Sequence, residues 1–316
     1  MSDLLIGTDR GIFRLEQDGT VRREDGPPTV AFLTRAHECV LALTQEGALW
    51  TRTGNNGWQP VHAAHVAAEI WAFAADPRMV GRLYLGVSPA LLYWSDDRGA
   101  SWTACETIRR IPGYERWTFP PPPHIPHVRS VAPDPQVVGA VYIGVEEGGI
   151  YRSGDRGETW ESLNEGLYWD IHTVTPDSDG RRLYTTTGRG FYRSDDGGRR
   201  WRHLMRGLDR HYTVPLAASR ERPGRLYTAA AASPPPGWRQ GANAAVYRTD
   251  DGGEHWVPLE KGLPTRFDTM VRHIAVDDQD TVYIAAGDEL FVSQDGGDSW
   301  RRLAGDLPTV KALSVV

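Results

Sequence analysis

The sequence predicts an all-β fold, a seven-bladed β-propeller built from four-stranded antiparallel blades. Two observations lead to this prediction: an eight-residue motif recurs along the chain, and each copy ends a series of three β-rich runs and precedes a fourth. The motif reads Ser/Thr-x-Asp-x-Gly-x-x-Trp. Its strict copies are Ser95–Trp102, Ser153–Trp160, Ser194–Trp201, Thr249–Trp256 and Ser293–Trp300.

The spacing of the motif fits one copy per blade. The motif aspartates lie roughly 40 to 60 residues apart, as expected for propeller blades with two insertions. A degenerate copy, Thr51–Trp58, has Thr53 and Asn55 in place of the Asp and the Gly. Within each copy, we expect the Asp to accept hydrogen bonds from turn amides, the Gly to supply a positive φ and the Trp to pack between sheets.

The two ends of the chain are predicted to form one shared blade. Residues 4–15 have the pattern of a second and a third strand without a first. Residues 308–313 parallel residues 28–33, which precede the next blade, so the last strand supplies the missing one. Pairing between the ends removes two exposed sheet edges, and we expect residues 1–316 to form a single domain.

The motif copies resemble those of the BNR or Asp-box repeat family, which includes sialidase-like and sortilin-like repeat proteins. The resemblance covers nearly the whole chain, and it implies a propeller scaffold without one particular activity. Sialidases of this family have six blades and an Arg-Ile-Pro motif before the first box. Here Arg110-Ile111-Pro112 follows a strict box and seven blades are expected, so sialidase catalytic roles are not transferred.

The net charge and the lack of long apolar segments argue against two classes of binding partner. The formal net charge is -6, which provides no overall attraction for nucleic acid or for an anionic membrane surface. The chain has no basic start followed by a long apolar run, and no apolar segment approaches the ~20 residues of a membrane span. We therefore expect a cytoplasmic protein with neither nucleic-acid nor membrane partners. The cysteines, Cys39 and Cys105, are expected in the core.

Two proline-rich insertions are predicted to frame one mouth of the propeller channel. They span residues 103–127 and 229–245, and proline stiffens both by fixing φ. The tryptophans outside the motif copies that map near this mouth are expected to be either loop anchors or an aromatic ligand platform. They are Trp71, Trp117, Trp169 and Trp238.

Alignment of the first strands of the blades places charged residues at the same mouth. The position before the shared apolar triplet holds Ala31, Trp71, Arg129, His172, Val214, Arg272 and Lys311. Two residues earlier lie Thr29, Glu69, His127, Asp170, Tyr212, Met270 and Thr309. Such residues either solvate a water-filled funnel or form a pocket.

In the pocket interpretation, Arg129, Arg272 and Lys311 neutralise a carboxylate or a phosphate. Glu69 and Asp170 act as an acid/base pair, and Tyr212 or a histidine assists. His124 and His127, together with His172 and an acidic residue, are candidate ligands for a divalent metal ion. The two loop histidines are three residues apart in a proline-rich loop, not on one helix face.

The leading functional hypothesis is a pocket that binds a small anionic molecule, as a hydrolase or a lyase. One alternative is a non-catalytic scaffold that uses the same rim to bind a protein partner. Another alternative is a metal-dependent oxidoreductase or lyase that uses the histidines. Sequence patterns alone do not separate these three hypotheses.

Overall fold

The structure, a computed structural model, describes residues 3–16, 18–54, 56–62 and 65–316. In these residues, strands β1 to β28 form seven four-stranded antiparallel sheets. This is the architecture of a seven-bladed β-propeller, and the predicted fold class is confirmed. Asn55 of the degenerate motif lies outside the described residues, as do Met1 and Ser2.

The first four blades are numbered in chain order. Blade 1 contains β28 (Val310–Val315), β1 (Leu4–Thr8), β2 (Gly11–Leu15) and β3 (Val21–Arg23). Blade 2 contains β4 (Phe32–Ala36), β5 (Cys39–Leu43), β6 (Leu49–Thr53) and β7 (Gln59–Pro60). Blade 3 contains β8 (Glu69–Ala75), β9 (Leu83–Ser88), β10 (Leu91–Ser95) and β11 (Thr103–Ala104). Blade 4 contains β12 (Val128–Pro133), β13 (Val141–Val145), β14 (Gly149–Ser153) and β15 (Glu161–Ser162).

The remaining blades follow the same strand order. Blade 5 contains β16 (Ile171–Pro176), β17 (Leu183–Thr187), β18 (Gly190–Ser194) and β19 (Arg202–His203). Blade 6 contains β20 (Tyr212–Ala218), β21 (Leu226–Ala231), β22 (Ala245–Thr249) and β23 (Val257–Pro258). Blade 7 contains β24 (Val271–Val276), β25 (Val282–Ala286), β26 (Glu289–Ser293) and β27 (Arg301–Ala304). Short 3₁₀ helices lie at Glu106–Arg110, Tyr114–Arg116 and Pro235–Gln240.

The chain divides into two compact units. Unit 1 comprises Met1–Leu33, Gly188–Phe191 and His203–Val316, and unit 2 comprises Thr34–Thr187 and Tyr192–Arg202. The single domain expected over residues 1–316 stays a prediction. Among the described residues, no helix has the length and apolar character needed to cross a bilayer.

Unit 1 contains the predicted pairing of the two chain ends. Strand β28 pairs antiparallel with β1, from Leu4 opposite Val315 to Thr8 opposite Val310. Val310 is 4 % exposed and packs in a core with Leu4 and Ile6. This pairing converts two free sheet edges into one continuous four-stranded blade, as predicted.

Unit 2 has an apolar core of the same kind between its blades. Tyr142 and Ile150 of blade 4 pack with Val174 and Leu183 of blade 5, and the motif tryptophan Trp201 closes the cluster. Each strand alternates its side chains between its two faces, so both faces of an internal blade bury apolar residues.

The motif turns form the hydrogen bonds expected from their sequence. In blade 3, the Ser95 hydroxyl accepts hydrogen bonds from the amides of Asp97 at 3.2 Å and Gly99 at 2.8 Å. The Asp97 carboxylate accepts a 2.8 Å hydrogen bond from the Ser101 amide, and Gly99 has a φ of 90°. The same pattern recurs at Ser153, Ser194, Thr249 and Ser293.

These turns predict how the fold responds to acid. Hydrogen bonds from the Ser101 side chain and backbone, and then from Ser95, lower the pKa of Asp97 from 3.8 to about 2. A depressed pKa in the folded state stabilises the fold above the unfolded pKa, and this contribution disappears as the pH falls from about 4 to about 2. We therefore expect the urea midpoint to fall in this window, and to fall less steeply in Asp97→Asn. Glu158→Gln, at an exposed carboxylate, should keep the wild-type pH profile; an unchanged slope in Asp97→Asn would contradict the prediction.

Candidate functional site

A β-bulge occurs near the start of the first strand in six of the blades described. In β12, Val128 pairs with Val145 and Ser130 with Gly144, so Arg129 is the extra residue of the bulge. The same shift leaves Trp71 in β8, His172 in β16, Arg272 in β24 and Lys311 in β28 as the extra residue. In β20 the shift falls across Val214 and Pro215. The position aligned in the sequence therefore corresponds to a repeated bulge. Bulges often occur next to functional sites, where they change the direction of a side chain.

In unit 2, the register of blade 4 brings a further residue to this position. The last residue of β13, Val145, is opposite Val128, the first residue of β12. Glu146 and His127 are therefore neighbours across the end of the hairpin, and the Glu146 amide lies 3.4 Å from the His127 carbonyl oxygen. Glu146 is 4 % exposed and His127 is fully buried.

Glu146 holds both His127 and Arg129 through one oxygen. Its Oε2 lies 2.9 Å from Nε2 of His127 and 2.7 Å from NH1 of Arg129. Burial alone would raise the pKa of Glu146, but the hydrogen bond from His127 and the charge of Arg129 keep it below its usual value. The ionised carboxylate accepts hydrogen bonds, so Nε2 of His127 must be the donor.

Aromatic rings enclose the imidazole of His127. The Trp71 ring stacks on it with centroids 3.6 Å apart, and the Phe119 ring meets it edge-on at 4.7 Å. Phe119 belongs to the insertion of residues 103–127, so one predicted insertion supplies a wall of the site. Nδ1 of His127 and Nε1 of Trp71 are buried and have no hydrogen-bond partner within the part of the chain that the structure describes.

Two residues from the start of β16 complete the site. Ligand-type atoms of Glu146, Asp170 and His172 all lie within 4.8 Å of one another. Asp170 is 8 % exposed, and its Oδ1 lies 3.4 Å from Nε2 of His172 without hydrogen-bond geometry. Burial, together with the charges of Asp170 and Glu146, raises the pKa of the neighbouring Glu147. We call the residues Trp71, His127, Arg129, Glu146, Asp170 and His172 the bulge cluster.

The structure places several of the predicted site residues elsewhere. Glu69 is exposed at the start of β8, and Glu146 takes the position beside Asp170 that was expected for Glu69. His124 is exposed, with Nδ1 2.8 Å from the Phe119 carbonyl oxygen. Among the described residues, the possible metal ligands near His172 are Glu146 and Asp170, and His124 is not one of them. Tyr212 belongs to the apolar core of unit 1.

The predicted mouth tryptophans lie in different environments. Trp117 is 7 % exposed and donates a 3.0 Å hydrogen bond to the Tyr151 hydroxyl, so it anchors its insertion. Trp238 donates a 2.7 Å hydrogen bond to the Ser233 carbonyl oxygen within the second insertion. Trp71 lies in the bulge cluster, whereas Trp169 is 53 % exposed.

In unit 1, the bulge residues of blades 1 and 7 are cationic. The Arg272 guanidinium lies 4.9 Å from the ring centroid of Trp238. Burial, with the charges of Arg272 and Lys311, lowers the pKa of His273 to about 4. Positive charge therefore collects around His273. The use of Arg272 and Lys311 to hold an anion stays a prediction.

Comparison with known proteins supports the fold alone. No family model matches the chain, and no curated protein matches it. Among solved structures, a GH74 xyloglucanase from Xanthomonas campestris is similar with a TM-score of 0.73 and 16 % identity, covering 96 % of this chain and 53 % of that one. The chain therefore spans about half of the length of this xyloglucanase.

Two other propellers are similar over most of their own length. YCF48, in a structure with the D1 peptide bound, has a TM-score of 0.59 and 18 % identity, covering 86 % of this chain and 81 % of that one. The WD40 propeller domain of Doa1 has a TM-score of 0.62 and 9 % identity, covering 98 % of this chain and 87 % of that one. The propeller fold is thus shared with proteins of different kinds, and the site must be interpreted from its own residues.

Proposed function

We propose that the protein is an enzyme, a hydrolase or a lyase, that acts on a small anionic molecule at the bulge cluster. The observation that carries this proposal is the state of His127. Glu146 accepts the hydrogen bond from Nε2, and Nδ1 is buried and unpartnered among the described residues. In the neutral imidazole this arrangement places the lone pair on Nδ1. An imidazole held by a carboxylate in this way is equipped to accept a proton from a bound molecule.

The neighbours of His127 suit a small polar substrate with an apolar or planar part. The guanidinium of Arg129 uses NH1 to contact Glu146 and has further N–H donors for a carboxylate or a phosphate. Trp71, whose ring stacks on His127, has an N–H without a hydrogen-bond partner in the described residues and could donate it to a bound molecule. Burying so many polar groups costs free energy, which argues against a purely structural role.

A matched pair of histidine variants tests this proposal. Small carboxylates and phosphates are first screened for thermal stabilisation of the full chain, and each compound that binds is then followed by NMR for chemical conversion. We expect His127→Gln to lower the rate of conversion by about 10²–10⁴-fold while the compound still binds, because the proton acceptor is lost.

His124→Gln is the control, since His124 lies three residues away in the same loop but is exposed. It should convert the compound at the wild-type rate. Conversion that is equally fast in His127→Gln, or conversion that depends on His124, would overturn the proposed role of the bulge cluster.

A second candidate function is the binding of a protein partner. Large apolar side chains flank the cluster in sequence and are exposed: Ile125 at 41 % and Trp169 at 53 %. Exposed aromatic residues beside a polar site are typical of an interaction surface. The similar propeller YCF48 has been solved with the D1 peptide bound.

We also propose membership of the BNR/Asp-box repeat family, because the strict motif copies form one common hydrogen-bonded turn. A cytoplasmic location is proposed from the sequence pattern alone.

A further inference from the structure

The strongest unassigned feature is a trio of buried side chains in unit 2. Glu146, Asp170 and His172 are 4 %, 8 % and 4 % exposed, and their ligand-type atoms lie within 4.8 Å of one another. Glu146 follows β13, whereas Asp170 and His172 lie on either side of the first residue of β16. The trio therefore joins two blades at the level of the bulges.

One buried atom of the trio is not satisfied by the described residues. Glu146 is paired with Arg129 at 2.7 Å. Asp170 has a buried Oδ1 that accepts no hydrogen bond from the described residues. Burying a polar atom without a hydrogen-bond partner costs free energy. A cation bound to Oδ1 would remove this cost.

The orientation of Glu146 fits a metal ligand held by neighbouring residues. The hydrogen bonds from His127 and Arg129 both fall on Oε2. Oε1 takes part in neither of them and is available to a cation. Carboxylates that bind metal ions are commonly fixed by hydrogen bonds of this kind, which orient the ligand and tune its basicity.

We propose that Glu146, Asp170 and His172 bind one divalent transition-metal ion in the bulge cluster. One imidazole and two carboxylates are a donor set suited to Mn²⁺, Co²⁺ or Zn²⁺, whereas Mg²⁺ and Ca²⁺ prefer oxygen ligands alone. Three protein ligands leave positions open for water or for a substrate, as in catalytic metal sites.

This ligand set differs from the one that the sequence predicts. His172 is common to both sets, but His127 is engaged by Glu146 and His124 contacts the Phe119 carbonyl oxygen. In the metal site, His127 is a positioning residue that holds Glu146. The two carboxylates replace the two loop histidines as ligands.

The metal-site inference extends the proposed function and rests on it, because the ion would help to bind the proposed anionic substrate. Two members of the trio carry carboxyl groups, and the ionised Glu146 repels an anion. A bound divalent ion would add positive charge at this point. The cluster then attracts an anionic molecule, and the ion can polarise one of its oxygens.

Calorimetric titration of the chelator-dialysed full chain with Zn²⁺ and with Co²⁺ tests the site. We expect one ion per chain and binding weakened by about a hundredfold or more in Asp170→Asn and in His172→Gln. His124→Gln tests the ligand set expected from the sequence and should bind as the wild type does. His255→Gln is a second control, because His255 lies 2.7 Å from the exposed Asp251 carboxylate and the part of the chain that the structure describes groups no third ligand with them.

A measurement on the wild-type protein tests the same site even if the variants do not fold. Pulsed electron paramagnetic resonance of the Mn²⁺-loaded wild type should show modulation from one coordinated imidazole nitrogen. Absence of this modulation, or binding that survives in both Asp170→Asn and His172→Gln, would overturn the metal site.

The metal site and the proposed function can fail separately. Each compound that stabilises the protein is titrated again with Zn²⁺ present and after chelation. Conversion that depends on His127 but is unaffected by chelation refutes the metal inference and leaves the proposed function standing. Specific binding of Zn²⁺ by the trio, with no compound converted in its presence, supports the metal site and counts against the proposed function.

Discussion

Deletion of residues 308–316 should abolish cooperative folding. The deletion removes β28, which pairs with β1 and contributes buried Val310 and Ala312 to the core of unit 1. Leu313 and Val315 pack against the same core. Each buried aliphatic side chain is worth roughly 1.5–3 kcal/mol. The combined loss is comparable with the ~5–15 kcal/mol that stabilises a typical domain.

The truncated chain should show no cooperative melting transition by circular dichroism and should aggregate on a sizing column, because the edge of β1 is left unpaired. A synthetic peptide of residues 308–316 added during refolding should restore the transition, and a scrambled peptide of the same composition should not. A truncated chain that melts and elutes like the full chain would show that the last strand does not hold the first blade together.

Gly262→Ala should destabilise the protein by roughly 3 kcal/mol or more. Gly262 has a φ of +86°, and a β-carbon there would overlap the backbone carbonyl of Trp300. The Trp300 amide is bonded to the Lys261 carbonyl oxygen at 2.9 Å, so the two segments cannot separate without losing a hydrogen bond. Trp300 is itself buried in the core of unit 1.

Gly197→Ala separates the two causes of this loss. Gly197 has a φ of +75°, but no atom would lie within 4 Å of an added β-carbon. Only the cost of the left-handed conformation applies, roughly 1–2 kcal/mol. Urea denaturation of both variants gives the difference. Equal losses in the two variants would show that the backbone of Trp300 yields to the added methyl group.

Repetition made the fold and the bulge positions predictable. The motif copies predicted the third and fourth strands of six blades, and the apolar triplets then aligned the first strands. In five blades the residue before the triplet, for example Arg129 or His172, is the extra residue of a bulge. Alignment located this position but could not reveal the bulge, since a bulge has no distinctive sequence.

The partners of these residues were less predictable. Glu146 could not be predicted from the alignment of first strands because it follows a second strand. The pairing of Val128 with Val145 places it beside His127. That register could have been inferred from the hairpin, since β12 and β13 are consecutive antiparallel strands. The position of Phe119 depends on the path of a proline-rich insertion, and no periodic sequence pattern specifies that path.

The repeated bulge also makes the rim of the blades open to redesign. Blades 3, 4 and 5 share the same bulge, although its extra residue is Trp71, Arg129 or His172. Libraries restricted to these positions would therefore vary the chemistry of the bulge cluster on a conserved backbone.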